Sequence, residues 1–104
     1  MVPMPQADGQ FKPRPALVLR VMLPFDDLLV CGVSSQLRQA VVGFDEIIGP
    51  EDTDFVASGL RVQSVVRVGF ISVVTQRQVV GTMGNISQSR FCEIRQRLSD
   101  LLRP

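Results

Sequence analysis

The sequence predicts a mainly β fold with one helix, a small and strongly curved antiparallel sheet or barrel against which the helix packs. Three observations carry this. Between residues 16 and 86 the chain is a run of short segments rich in Val, Leu and Ile, bounded by Gly, Pro, Asn and Asp. After Ser87 the apolar residues fall at helical spacings of three and four. The length is 104 residues with a hydrophobic fraction of 45%, enough for one core that strands and helix must share. We therefore expect a single domain over 1–104.

The elements follow in order. Residues 1–15 hold Pro3, Pro5, Pro13 and Pro15 around Asp8-Gly9, which predicts a loop or hairpin turn. "ALVLRVML", 16–23, reads as a strand buried along most of its length. Pro24 to Asp27 turns the chain into "LLVCGVS", 28–34, an antiparallel neighbour in which Gly32 permits a close approach or a bulge. "VVGFDEII", 41–48, reads as a third and shorter strand closed by Gly49-Pro50. Residues 51–58 suit one helical turn with acids near its start, where the helix dipole favours them, and Gly59 ends it. "VQSVVRVGFISVV", 62–74, is a long strand with a bend at Gly69, and 78–86 is a short strand with two glycines. Ser87 then caps a helix from 88 to about 102, whose core face is Phe91, Ile94, Leu98, Leu101 and Leu102. Arg90, Arg95, Arg97 and Arg103 read as its solvated face, with Glu93 and Arg97 an i,i+4 pair.

Composition narrows the chemistry. The net charge is +1, so no broad basic field announces nucleic acid. Lys12 is the sole lysine and the remaining cations are arginines, whose planar fork suits phosphate and carboxylate. There is no histidine, which excludes Ser-His-Asp and Cys-His machinery. Cys31 and Cys92 are not paired at ligand spacing and read as small buried hydrophobes, so neither a metal nor any other cofactor is expected. No glycine-rich nucleotide cradle is present. No apolar run is long enough for a membrane span, and the N-terminus lacks a leader pattern, so a reduced, soluble, cytoplasmic protein without membrane partners is expected.

Two stretches could carry chemistry. In "FKPRPALVL", 11–19, Arg14 stands between two prolines that hold it extended at the mouth of a strand. Such a guanidinium could bind phosphate or stabilise developing negative charge; it could equally pair with Asp8 or Asp26. In "SSQ", 34–36, a hydroxyl at a strand end could donate to a phosphoryl oxygen, or simply open a loop.

Taken together, "RPALVL" at 14–19, "VSSQ" at 33–36, "SGLRVQSVVRV" at 58–68, "DFVASGL" at 54–60 and "GNIS" before the last helix resemble the PemK/MazF family of type II toxins. The resemblance runs over nearly the whole chain. It implies a compact SH3-like barrel with a C-terminal helix, usually homodimeric. Active members are endoribonucleases that cut single-stranded RNA without a metal, and a cognate antitoxin neutralises them by filling the RNA groove. Carried onto this sequence, the catalytic arginine is Arg14, the catalytic hydroxyl is Ser34 where the family usually has threonine, and Gln36 matches a neighbouring glutamine. Phe11, Lys12 and Asp8, ahead of Arg14, are the further expected RNA contacts, with Phe11 as a stacking surface and Asp8 a candidate proton acceptor. The RNA's own 2′-OH is the expected nucleophile, giving a 2′,3′-cyclic phosphate and a free 5′-OH. Family members begin with a "GD[IV]V"-like half-strand that "MVPMPQADG" lacks, so a shortened first strand is expected.

Two rival readings are an inactive toxin homologue that binds antitoxin or RNA, and an inhibitor of a protein such as gyrase. The second relies in related folds on an aromatic near the end of the last helix, and here no aromatic follows Phe91.

Overall fold

The structure is a computed structural model that describes the backbone of residues 2–5 and 11–104 and the side chains from residue 13 onward. Strand β1 (Val2–Pro5) pairs antiparallel with β2 (Phe11–Arg14), matching Val2 with Arg14 and Pro5 with Phe11. The pairing fits the hairpin alternative of the expectation, while Asp8 and Gly9 lie outside the described residues. Strands β3 (Ala16–Met22), β4 (Asp27–Ser34), β5 (Glu46–Ile48) and β6 (Ser64–Val74) form one antiparallel sheet in the order β3-β4-β6-β5. A one-turn helix α1 (Phe55–Ser58) precedes β6, and α2 (Gln88–Leu102) closes the chain. The protein is thus mainly β, a curled antiparallel half-barrel with a C-terminal helix.

Two irregularities curl the sheet. The β3–β4 register slips between Val18 and Arg20. Against β4, Cys31 faces Ile71 but Gly32 faces Arg67, so residues 68–70 of β6 have no opposite number. Extra residues on one strand bend it and increase its twist. The bend falls where Gly69 suggested it, and the Val68 amide within it donates to the Asp45 carboxylate at 3.0 Å.

One face of the sheet packs on α2. Leu19, Cys31, Ile48, Val66 and Val68 meet Ile94 and Leu98 there. The opposite face holds a smaller cluster of Leu28, Val30 and Val74 with Ala16 and Phe70. Burial pushes the Cys31 thiol up to about 12, with the nearby Asp45 charge adding to the effect, so it stays protonated and inert.

Several expectations need correction. Of β3 only Leu19 is buried, because β3 is an edge strand of the described sheet and its alternate residues face outward. The expected strand 41–48 shrinks to Glu46–Ile48, since Gly43 takes φ +82 and the chain turns at 42–44. No strand forms over 78–86. Gln76–Gln78 is a short 3-10 turn, and the chain beyond it docks on α1 through backbone. The Asn85 amide donates to the Ala57 carbonyl at 2.8 Å. Gly84 lies against the Ala57 carbonyl and Gly59 (φ +76) against the Met83 carbonyl, each too close for a Cβ. Cys92 is exposed rather than buried, and Leu101 and Leu102 are largely exposed to solvent.

The largest correction concerns the helix arginines. Ser87 caps α2 as expected, accepting the Arg90 amide at 3.2 Å. Arg90 and Arg97, however, are not solvated. Arg90 bonds Asp54 at 2.9 and 3.2 Å, Asp52 at 3.3 Å and Glu46 at 3.1 Å. Arg97 reaches Glu46 at 2.7 Å and the carbonyls of Phe44 and Asp45. Helical periodicity puts both on the polar side, but the turns before β5 and α1 fold over that side and bring their carboxylates with them. Arg95 lies over the Phe91 ring at 5.4 Å, and Arg103 remains exposed.

Candidate active site

Backbone constraints set the position of Arg14. Pro13 and Pro15 fix φ on either side of it, and it ends β2. The Pro15 carbonyl, in the gap between β2 and β3, accepts the Val33 amide at 3.1 Å. The residue after Arg14 is thereby tied to the residue before Ser34, although the two lie on different strands.

Ser34 is the last residue of β4 and is half-buried. Its Oγ accepts the Gln36 amide at 3.0 Å. A hydroxyl offers one donor and two acceptor positions; with an acceptor position engaged by backbone, the O–H remains to donate. This bond restrains the side chain, a role that the β-branch of threonine would otherwise fill.

Arg14, Ser34, Ser35 and Gln36 line one open cavity of about 750 Å³. The structure therefore brings together Arg14, Ser34 and Gln36 of the expected site residues. Lys12 and Phe11 lie in β2, opposite Met4 and Pro5, and their side chains are outside the description. Asp8 lies outside the described residues altogether.

The far wall of the cavity comes from residues that motif reading did not single out. Arg61, Ser64, Arg67, Phe70 and Met83 line it. Arg61, in the bend before β6, and Arg67, within it, sit inside "SGLRVQSVVRV", but a linear motif does not reveal which way a strand residue such as Arg67 points. The register does. Gly32 pairs with Arg67, and Ser34 lies two residues beyond Gly32, so alternation puts them on one face of the sheet. That is the face away from α2.

Electrostatically the cavity is one-sided. Arg14, Arg61 and Arg67 line it, and no carboxylate is found among its described lining residues. Among the described residues no ion pair reaches Arg61 or Arg67. The cavity is thus lined by guanidinium, hydroxyl and side-chain amide groups, the donor types that suit anions.

Fold and site define a class: a small curled β protein with a cationic cavity on the sheet face opposite its terminal helix. The family follows from comparison. Residues 1–102 match the family model described as PemK-like, MazF-like toxin of type II toxin-antitoxin system, and the chain belongs to that family. A comparison with curated proteins gave no match. Among the described residues no helix is long and apolar enough to cross a membrane.

Proposed function

We propose that this toxin is an endoribonuclease acting on single-stranded RNA, with Arg14 and Ser34 at its centre. The observation that supports the reading most is the shared cavity of Arg14, Ser34 and Gln36, flanked by two further guanidiniums. In the reaction the 2′-oxygen attacks the adjacent phosphorus. The new bond closes a 2′,3′-cyclic phosphate, the bond to the 5′-oxygen breaks, and the proton lost by the 2′-OH is balanced by one gained on the leaving 5′-oxygen.

The protein's part is positioning and charge stabilisation. The Arg14 guanidinium carries a permanent charge and a two-pronged donor set that fits two phosphoryl oxygens. The Ser34 hydroxyl, oriented by the Gln36 amide, supplies a further donor to the same group. An arginine is a poor base, so the 2′-OH proton passes to another group, with Asp8 the candidate from sequence. Purified protein is expected to cut an unstructured RNA in EDTA and leave 5′-OH ends. Arg14→Ala should lower single-turnover cleavage by on the order of 10²- to 10³-fold; a variant that cuts as fast as the parent overturns the assignment. The family further suggests an antitoxin that occupies this cavity, a homodimeric toxin and a cytoplasmic setting.

A further inference from the structure

We propose that Arg67 and Phe70 form a base-stacking platform that holds a nucleotide flanking the scissile phosphate, an inference that rests on the ribonuclease reading above. The Arg67 guanidinium lies over the Phe70 ring at 4.8 Å from its centroid, and both residues line the cavity that holds Arg14 and Ser34.

The bulge of β6 makes this arrangement. In a regular strand, residues three apart point to opposite faces. Here residues 68–70 are extra relative to β4, and Arg67 and Phe70 come to the same side. The bulge is fixed from beneath. The Val68 side chain is fully buried against α2, and its amide is held by Asp45. Phe70 is anchored at its edge by Leu28, Val30 and Val74. The guanidinium is thus a cation held over an aromatic ring, and it carries no carboxylate partner among the described residues.

Such a surface suits a base better than a phosphate. Guanidinium planes accept stacked bases, and single-stranded RNA is held largely by such stacking. Apolar side chains, Leu60, Val62 and Met83, also line the cavity. Arg67 is in register with Gly32, two residues along β4 from Ser34, or about 7 Å. One RNA chain can therefore place a phosphodiester at Ser34 and an adjoining base on Arg67.

The test uses the whole protein and a 2′-O-methyl RNA octamer that cannot be cleaved, with each nucleotide in turn made abasic. For the parent, one abasic position should weaken binding on the order of tenfold more than the others. Arg67→Lys keeps the charge and loses the plane; it should weaken binding of the intact octamer by a similar factor and become insensitive to that abasic position. Phe70→Leu, which preserves an apolar anchor, should do the same and serves if Arg67→Lys folds poorly. Parent-like binding by both variants overturns the platform, as does a loss that is equal for intact and abasic octamers. If cleavage depends on Arg14 while Arg67→Lys leaves base sensitivity unchanged, the platform alone fails. If the parent neither binds nor cuts RNA, the ribonuclease reading fails with it.

Discussion

The hydroxyl of Ser34 is held in place without β-branching. Its Oγ is tied at 3.0 Å to an amide two residues on, which restricts χ1 from outside the side chain rather than from within it. This arrangement makes a sharp prediction. Ser34→Thr keeps the oxygen and adds a methyl group that reinforces the same restraint, so it should cleave RNA at least as fast as the parent. Ser34→Ala removes the donor and should slow single-turnover cleavage by on the order of 10²-fold. Equal rates for Ser34→Ala and the parent would remove the hydroxyl from the site. Arg14 and Ser34 could be picked out in the sequence, since prolines bracket one and a strand end carries the other, but only the family resemblance gave them catalytic roles. Arg61, Arg67 and Phe70 could not: Arg61 precedes β6, and the side that Phe70 shares with Arg67 is set by a bulge whose size no residue type announces.

Among the elements, α2 was the most legible, since its cap and its Ile94–Leu98 core face follow directly from residue spacing. Its polar side was misread because periodicity cannot show what folds over it. Arg90 sits against Asp54, itself only 6% exposed, and the Ser87 amide at the helix start donates to the same carboxylate at 2.9 Å. The cluster therefore joins α1, β5 and the start of α2. Hydrogen bonds from Arg90 hold Asp54 below the usual carboxylate range. A depressed folded-state value stabilises the fold above the unfolded pKa of about 3.9 and loses that contribution as pH falls through the folded value. Asp54→Asn should accordingly destabilise the protein at pH 7 by about 3 kcal/mol, the lower end for breaking a buried pair because Asp52 and Glu46 still face Arg90. Its urea midpoint should also vary less with pH below about 4 than that of the parent. An unchanged acid limb would show that other carboxylates govern acid unfolding. In the strands misread at 41–45 and 78–86, Phe44, Val79 and Ile86 pack on the apolar clusters while Val41, Val42 and Val80 face solvent, and composition alone does not distinguish such residues from those of a ladder.

For the whole molecule, the formal net charge of +1 conceals an uneven distribution. Arg90, Arg97 and Arg103 are each paired with carboxylates, whereas among the described residues no ion pair reaches Arg61 or Arg67, which line the cavity together with Arg14. A nearly neutral protein has little long-range attraction for RNA, so binding must draw on cations at the contact itself. Each phosphate neutralised on a single strand steepens the dependence of log K on log salt by about 0.7. With Arg67 given to a base, Arg14 and Arg61 facing phosphates predict a slope of about −1.4 for the uncleavable octamer, measured by fluorescence anisotropy across a range of salt concentrations. Arg61→Gln should reduce the magnitude by about 0.7, whereas Arg67→Lys, which preserves charge, should leave the slope intact while lowering affinity. A slope near zero would show that phosphates do not enter the cavity. One steeper than about −4 would mean that RNA also follows cations elsewhere on the surface, and the site would then be a groove extending beyond the β4–β6 face.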